Sequence, residues 1–219
     1  FNMAKGGGEC SDDYPDCDLL SNGYFTFYVN LNRNKNITAH ATRNKLAFTP
    51  DVFLIAEPRT FLTSEAYDEL DSVISQKGQV VLIVSDEIST YSKDVLSHIG
   101  IDLNLTDTDN RAIDIQTDTL TSLSNVTTLQ TLHDTKEGHL NSCPAINCPD
   151  NTLLRAQDEN GKSCDLVCSY TIDEARFLLV FTGKQFRRSG LRWVHSTPKD
   201  SAYSNFLLQM DFMDLLLQH

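Results

Sequence analysis

The sequence has few basic residues and no long apolar run, and both absences exclude classes of protein. Lys and Arg number 18 against 30 Asp and Glu, which gives a formal net charge of −12. A general nucleic-acid binder needs clustered cations to neutralise phosphates, so the charge argues against that class. The apolar runs, such as 177–181, are far shorter than the roughly 18 residues that span a bilayer. We therefore predict no nucleic-acid partner and no membrane span in this chain.

The common catalytic and metal-binding motifs are also missing. Ser85 lies outside a G-x-S-x-G elbow, which argues against a role as a nucleophile activated by a histidine base. We therefore interpret Ser85-Asp86 as a helix cap. The histidines lack H-E-x-x-H spacing, and we interpret them as solvated loop residues: His40, His98, His133, His139, His195 and His219. The acidic run 102–109 lacks the glycine and the final Glu of an EF-hand, which favours a solvated loop over a calcium site. We predict no catalytic residue, no metal site and no cofactor.

The composition that is present suits a globular domain. The chain has 219 residues, of which 40% are hydrophobic and 22% are charged. A chain of this length and apolar content can bury one core, and it is too short for two domains of ordinary size. We therefore predict a single domain over residues 1–219.

Sequons and cysteines together indicate an oxidising compartment. Three N-x-[S/T] triplets predict glycosylation at Asn36, Asn104 and Asn125. The six cysteines form an even set that suits three disulfides: Cys10, Cys17, Cys143, Cys148, Cys164 and Cys168. The chain begins with Phe1 rather than Met and shows no signal peptide, so we expect a mature or excised segment. We predict an extracellular or secretory-lumen location.

The last four cysteines leave two interpretations open. Their C-x4-C…C-x3-C spacing loosely resembles a four-thiolate zinc ribbon, but the spacers are wider than usual and contain no turn glycine. If 164–171 is a strand, Cys164 and Cys168 lie about 13 Å apart. A disulfide needs Cα atoms within about 7 Å, so a Cys143/Cys148 hairpin cross-linked to the Cys164/Cys168 strand is favoured over two local loops. Cys10 and Cys17 would then close a small loop of their own.

The clearest local pattern is a strand, a helix and a second strand between residues 51 and 85. Val52–Ala56 is a continuous apolar run, as expected for a strand buried on both faces. Thr63 or Ser64 can cap a helix whose apolar stripe includes Leu70 and Val73. Gly78 stands where a residue in the left-handed conformation would end that helix. Residues 80–84 are a second continuous apolar run, which predicts another strand buried on both faces. Short connections between these elements predict a parallel βαβ unit.

The remaining pattern predicts an α/β fold. A further helix is expected over 92–99, stopped by Gly100, and strands are expected over 152–157, 166–170 and 177–181. Residues 102–170 contain the cysteine pairs and form a variable, insertion-like region. We predict a mostly parallel sheet flanked by helices, with a disulfide-linked β excursion inserted before the last strand.

The βαβ unit carries a family resemblance. Three segments resemble the class I glutamine-amidotransferase-like superfamily: 51–59 (DVFLIAEPR), 61–70 (FLTSEAYDEL) and 77–86 (KGQVVLIVSD). They are more similar to its non-catalytic branch, which includes gliding-motility accessory proteins, an intraflagellar-transport subunit and a luminal oligosaccharyltransferase subunit. The resemblance implies a flavodoxin-like three-layer sandwich. In this family Phe1-Asn2 would end the first central strand.

The resemblance also implies that the chain is inert as an amidotransferase. Those enzymes need a cysteine in a G-x-C-x-G turn and a late histidine–glutamate pair. Here the corresponding turn is 84–87 (VSDE), and Arg187-Arg188 stand where the histidine and its partner would lie. Neither half of the dyad is present.

Two functional hypotheses remain. Arg187, Arg188, Arg192 and Trp193 form a basic-aromatic cluster of the composition found at binding hot spots, although a plain surface loop explains it equally well. The first hypothesis is a non-catalytic glycoprotein module for protein recognition or assembly with other subunits. The second is a hydrolase or auxiliary subunit that acts on glycans or peptides through carboxylates at the carboxyl edge of the sheet, such as Glu57, Asp86 and Glu87.

Overall fold

Two helices and eight strands have described bounds, and residues 28 and 31–33 are also helical. The computed structural model describes residues 28, 31–33, 35–40, 46–84, 88–103, 112–117, 120–122, 140–144, 148, 151–157 and 163–180. In chain order the elements are β1 (Val52–Ala56), α1 (Ser64–Ser75), β2 (Gln79–Ile83), α2 (Thr90–His98), β3 (Ala112–Thr117), β4 (Leu120–Ser122), β5 (Leu140–Pro144), β6 (Thr152–Gln157), β7 (Ser163–Ile172) and β8 (Ala175–Val180).

The predicted parallel βαβ unit is confirmed. β1 and β2 pair in parallel with Val52 opposite Gln79 and Ala56 opposite Ile83, and α1 connects them. Thr63 is the N-cap of α1, and its side chain accepts a hydrogen bond from the Ala66 backbone N–H. The apolar run therefore predicted the bounds of β1, and the cap predicted the start of α1.

The prediction of a mostly parallel sheet is wrong. The main sheet has six strands in the order β1-β2-β8-β7-β6-β4. Two of its described pairings, β1–β2 and β2–β8, are parallel, whereas β8–β7, β7–β6 and β6–β4 are antiparallel. The expected β excursion does not stand apart, because β4, β6 and β7 extend the main sheet. β3 and β5 form a separate two-stranded antiparallel sheet.

The parallel strands are buried on both faces. One face packs against both helices in a single core cluster, which includes Phe53, Ile55, Val80, Leu82, Phe177 and Leu179 from the strands. The alternate residues on the opposite face are buried as well: Leu54, Val81, Ile83, Leu178 and Val180. Because alternate residues of a strand point to opposite faces, this burial explains why β1 and β2 read as continuous apolar runs.

The end of α1 differs from its prediction. The left-handed residue is Lys77, with φ 59°, rather than Gly78. Lys77 N–H donates to Ile74 O at 2.9 Å and Gly78 N–H donates to Val73 O at 2.9 Å, which is the bond pattern of a Schellman motif. Gly78 is needed for a different reason. A Cβ there would lie 2.8 Å from Asp51 O and 2.8 Å from Val73 Cγ1.

A two-residue turn reverses the chain between β7 and β8. Ile172 pairs with Ala175, and the intervening Asp173 and Glu174 have φ values of 48° and 68°. Positive φ at both central residues matches the type I′ turn, whose twist suits a tight hairpin. The sequence shows neither Asn-Gly nor Asp-Gly at this turn, so this hairpin, and with it the direction of β7, escaped prediction.

The close approach at Gly78 generates a stability prediction. Gly78→Ala should lower the free energy of unfolding by about 1–3 kcal/mol, the usual cost of overpacking, because backbone and a β-branched side chain must move to admit the methyl group. Urea unfolding followed by circular dichroism measures the change.

Gly100→Ala is the matched control for that variant. Gly100 ends α2 with φ 77° and has no atom within 4 Å of an added Cβ. Its replacement should cost only the left-handed penalty, about 1–2 kcal/mol. If Gly78→Ala is neutral while Gly100→Ala is destabilising, the steric role given to Gly78 is wrong.

Candidate functional site

The carboxyl ends of the three parallel strands form one edge of the sheet. β1, β2 and β8 end at Ala56, Ile83 and Val180. Two backbone bonds join the chain just beyond these ends: Glu57 N–H donates to Ile83 O at 2.8 Å, and Val84 N–H donates to Val180 O at 2.8 Å. We call this region, with the 57–63 and 88–91 segments, the carboxyl edge. Open α/β sheets bind ligands at this edge.

Glu57 begins the loop after β1 in a strained conformation. Its φ is 43°, a left-handed value that costs an L-residue with a Cβ roughly 1–2 kcal/mol. The residue is half-buried, and its N–H is used in the bond to Ile83 O. Glu57 therefore lies on the predicted edge. Asp86 and Glu87, its proposed partners, lie outside the described residues.

Both helices begin at the carboxyl edge, and side-chain caps fix their first turns. Thr63 Oγ1 accepts a hydrogen bond from Ala66 N at 3.3 Å in α1. In α2, Ser89 Oγ accepts a hydrogen bond from Ser92 N at 3.1 Å. The Ser89 hydroxyl also donates to Pro58 O at 3.4 Å, which links the start of α2 to the loop after β1. Ser89 is thus the cap of α2, whereas Ser85-Asp86, the predicted cap, lies outside the described residues.

An aromatic pair, formed by an exposed Phe61 and a half-buried Tyr91, lies on this edge. Phe61 precedes α1 and packs edge-to-face on Tyr91 in the first turn of α2, with ring centroids 4.9 Å apart and an interplanar angle of 82°. The Phe61 residue is 56% exposed. Phe48, which precedes β1 at the opposite edge, is 53% exposed and packs edge-to-face on His40. Phe61 and Phe48 therefore offer similar exposed rings at opposite ends of β1.

Sequence reasoning missed the Phe61–Tyr91 pair because its two members are thirty residues apart. The one available signal was the position of Phe61 outside the apolar stripe of α1, which is formed by Ala66, Leu70 and Val73. An aromatic residue that lies just before the N-cap and outside the apolar stripe of the helix is expected at the surface rather than in the core.

His98 is exposed, as predicted, but it lies in a helix rather than in a loop. It is the last residue of α2 and stacks on Tyr67 of α1, with centroids 4.1 Å apart. Its Nε2 lies 2.8 Å from Asp71 Oδ1, and the Tyr67 hydroxyl donates to Asp94. Burial, followed by the hydrogen bond to Asp94 and the charge of that carboxylate, raises the pKa of the Tyr67 phenol above its usual range. These contacts hold α1 and α2 together.

A disulfide joins Cys148 to Cys168, with Cα atoms 6.4 Å apart. This bond confirms a cross-link from the Cys143/Cys148 segment to the Cys164/Cys168 strand, and it is incompatible with a zinc site made from all four thiolates. Both residues are buried in the main core. The Thr152 hydroxyl donates to Cys148 O at 2.7 Å, which fixes the chain where β6 begins.

A buried carboxylate supports the disulfide. Asp165 is 0% exposed, and its two oxygens accept hydrogen bonds from Cys148 N and Arg155 Nε, each at 2.7 Å. Burial, with a smaller contribution from the charge of Asp165, raises the pKa of the nearby Tyr170. Because an unpaired buried charge is costly, this ion pair and the backbone bond depend on each other.

Several predicted site residues lie outside the described residues. They are Asn104, Asn125, Cys10, Cys17, Ser85, and the basic-aromatic cluster Arg187, Arg188, Arg192 and Trp193. Asn36 is described and lies in an exposed turn. Within the described ranges, no three His, Cys, Asp or Glu side chains come close enough to hold a metal ion.

Comparison with known proteins gives no relative. No family model, curated protein or solved structure matches this chain. The amidotransferase-like resemblance therefore stays a prediction. Among the described residues, neither α1, with 12 residues, nor α2, with 9, is long and apolar enough to cross a membrane.

The buried ion pair generates the second stability prediction. Arg155→Met should lower the free energy of unfolding by about 3–5 kcal/mol, because it leaves the Asp165 carboxylate buried without a cation. Chemical unfolding of the oxidised protein measures this loss.

Lys77→Met is the control for that variant, since Lys77 pairs with Glu174 and both side chains are mostly exposed. Breaking an exposed pair should cost no more than about 1 kcal/mol. Equal and small losses in the two variants would show that the Arg155–Asp165 pair does not stabilise the fold.

Proposed function

We propose that this chain is a non-catalytic glycoprotein module that recognises or assembles with other protein subunits in the secretory lumen or outside the cell. The observation that carries the proposal is the exposed Phe61 ring, which packs on the half-buried Tyr91 at the carboxyl edge of the parallel strands. We further propose that the domain is of the non-catalytic amidotransferase-like type, with antiparallel strands added to its parallel strands.

The aromatic pair supports recognition because of its exposure and position. Leaving more than half of a Phe in water forgoes the free energy that its burial would release. Aromatic residues dominate interface energetics, and Tyr is enriched among binding hot spots. The pair also lies at the sheet edge where open α/β folds bind ligands.

The cysteine and sequon positions support the proposed compartment. A disulfide such as Cys148–Cys168 forms and persists in oxidising environments and is rare in reducing ones. Asn36, in its Asn-Ile-Thr sequon, lies in an exposed turn where a bulky glycan can be accommodated.

Photo-crosslinking tests the recognition surface. The chain is produced in its secreting cells with a photoreactive phenylalanine analogue at position 61 or, as the matched control, at position 48. We expect a discrete protein adduct from position 61 and none from position 48. With the crosslinked protein identified and purified, Phe61→Ala should weaken binding about thirty-fold, since a hot-spot truncation costs roughly 2 kcal/mol or more.

The same binding assay must be insensitive to Phe48→Ala. Both substitutions remove an exposed ring, so each should leave thermal stability within about 0.5 kcal/mol of the parent. Absence of any adduct, or equal crosslinking and equal loss at the two positions, would count against a recognition site at the carboxyl edge.

Glycosylation gives a separate test of the compartment. Asn36→Gln and Thr38→Ala should each remove one glycan from the secreted protein, whereas Thr38→Ser should keep it, because the acceptor motif needs Ser or Thr at its third position. Intact mass before and after endoglycosidase treatment gives the count. If all three variants keep the parent mass increment, the Asn36 sequon is not used.

A second candidate function rests on the strained Glu57. Non-glycine residues with positive φ cluster at active sites, and Glu57 follows β1 at the edge where α/β hydrolases hold their reactive groups. The alternative is a hydrolase or auxiliary subunit that acts on glycans or peptides, with the Glu57 carboxylate as an acid or base.

Paired substitutions distinguish strain from chemistry at Glu57. Glu57→Gly should raise the free energy of unfolding by about 1 kcal/mol by relieving the left-handed strain. Glu57→Gln keeps the shape and strain, so any hydrolysis of a glycan or peptide panel by the parent should vanish in this variant at unchanged stability. A parent protein that turns over no member of the panel rejects the hydrolase alternative.

A further inference from the structure

The exposed ring of Phe61 lies on a short piece of chain that is anchored at both ends. Pro58 and Leu62 are both buried, and only three residues separate them. Leu62 belongs to the main core, and the next residue, Thr63, caps α1. At the other end, the Ser89 hydroxyl donates a hydrogen bond to Pro58 O at 3.4 Å. The position of Phe61 therefore depends on how firmly Pro58 is held.

A chain of two hydroxyl groups directs the Ser89 proton towards Pro58. Ser92 is buried, its Oγ lies 3.1 Å from Ser89 Oγ, and its backbone N–H donates to the same Ser89 Oγ at 3.1 Å. Each hydroxyl has one proton to donate. If the Ser92 hydroxyl donates to Ser89, the Ser89 proton is left for Pro58 O and both protons are used. In the reverse direction Ser89 donates to Ser92, and the carbonyl of the buried Pro58 loses this donor, which is unfavourable for a buried backbone group.

The turn before Pro58 is strained and needs this support. Glu57 has a φ of 43°, and its backbone is restricted further because a proline follows it. A strained residue of this kind persists only where neighbouring contacts hold it. Two such contacts are the bond from Glu57 N–H to Ile83 O and the bond from the Ser89 hydroxyl to Pro58 O. Ser89 thus ties the loop after β1 to the first turn of α2.

We propose that Ser89 is a positioning residue for the recognition surface. Its hydroxyl caps α2, whose first turn contains Tyr91, and it also holds the 57–61 loop, so Phe61 packs on Tyr91 before any partner binds. This role rests on the recognition function proposed for Phe61, and it adds that the surface is formed in the free protein rather than on binding. A ring that is already ordered loses less conformational entropy on association, which favours affinity.

Three substitutions separate the two roles of the Ser89 hydroxyl. Ser89→Asp keeps an oxygen that can cap α2, but an ionised carboxylate has no proton to donate. Ser89→Thr keeps both the cap and the donor, and Ser89→Ala removes both. The Ala variant should therefore have the lowest melting temperature of the three, because it alone lacks a capping side chain.

The decisive measurement is the fluorine resonance of para-fluorophenylalanine at position 61 in the free protein. Tyr91→Leu in the same labelled chain gives the chemical shift of this ring without its aromatic neighbour. We expect Ser89→Asp and Ser89→Ala to move the resonance towards that of Tyr91→Leu, and Ser89→Thr to leave it at the parent position. A role limited to capping would not move the resonance of the Asp variant.

Three results would overturn the proposal. If Ser89→Asp keeps the parent shift, the cap alone positions the loop. If the resonance moves in Ser89→Asp but not in Ser89→Ala, the added charge causes the change rather than the lost donor. If the parent shift equals that of Tyr91→Leu, Phe61 is not held against Tyr91 in the free protein. The measurement needs no partner, so its failure is distinguishable from a failure of the crosslinking that tests recognition.

Discussion

The parallel hydrogen-bonded ladder through β1, β2 and β8 is the constraint on which the rest of the structure depends. These strands are buried on both faces. Because water does not reach their backbone N–H and C=O groups, those groups must form hydrogen bonds with the neighbouring strands. The ladder fixes where Glu57 and Val84 begin their loops and so where α1 and α2 start. The exposed ring of Phe61 is positioned by this frame.

The pairing in the main sheet changes from parallel to antiparallel at β8, and this change gives the sheet two different halves. On the parallel side, crossover helices cover one face and apolar packing dominates. On the antiparallel side, a disulfide and the buried Arg155–Asp165 pair supply specific cross-links near the place where β6 meets β7. The candidate recognition site at Phe61 and the Cys148–Cys168 disulfide are thus located in different parts of one sheet.

Sequence alone predicted the βαβ unit well because its signals are local. The apolar run 52–56 gave β1, and Thr63 marked the start of α1. Strand direction is not local, since an apolar strand reads the same whichever way its neighbour runs. The Asp173-Glu174 turn carries none of the usual hairpin residues, so the antiparallel half was missed. The prediction that Gly78 adopts the left-handed conformation failed for a related reason. From sequence alone, a glycine needed to avoid a steric clash cannot be distinguished from one that adopts a positive φ.

The candidate site was predicted only in outline, for the same reason. The carboxyl edge and Glu57 followed from strand order, whereas Phe61 and Tyr91 meet only because two helices start side by side. Arg155 and Asp165 likewise meet across a strand pair, ten residues apart in the chain. Pairings of this kind depend on the register of the finished sheet, which no short window of sequence contains.

The burial of the Cys148–Cys168 bond has a kinetic consequence. An attacking thiolate must reach a sulfur directly, and here both sulfurs belong to residues enclosed in the core. Reduction of the folded protein must therefore wait for the surrounding strands to open, so its rate is limited by how often the fold opens. A molecule that has once matured in an oxidising compartment would keep this bond through a later, brief passage into a reducing one.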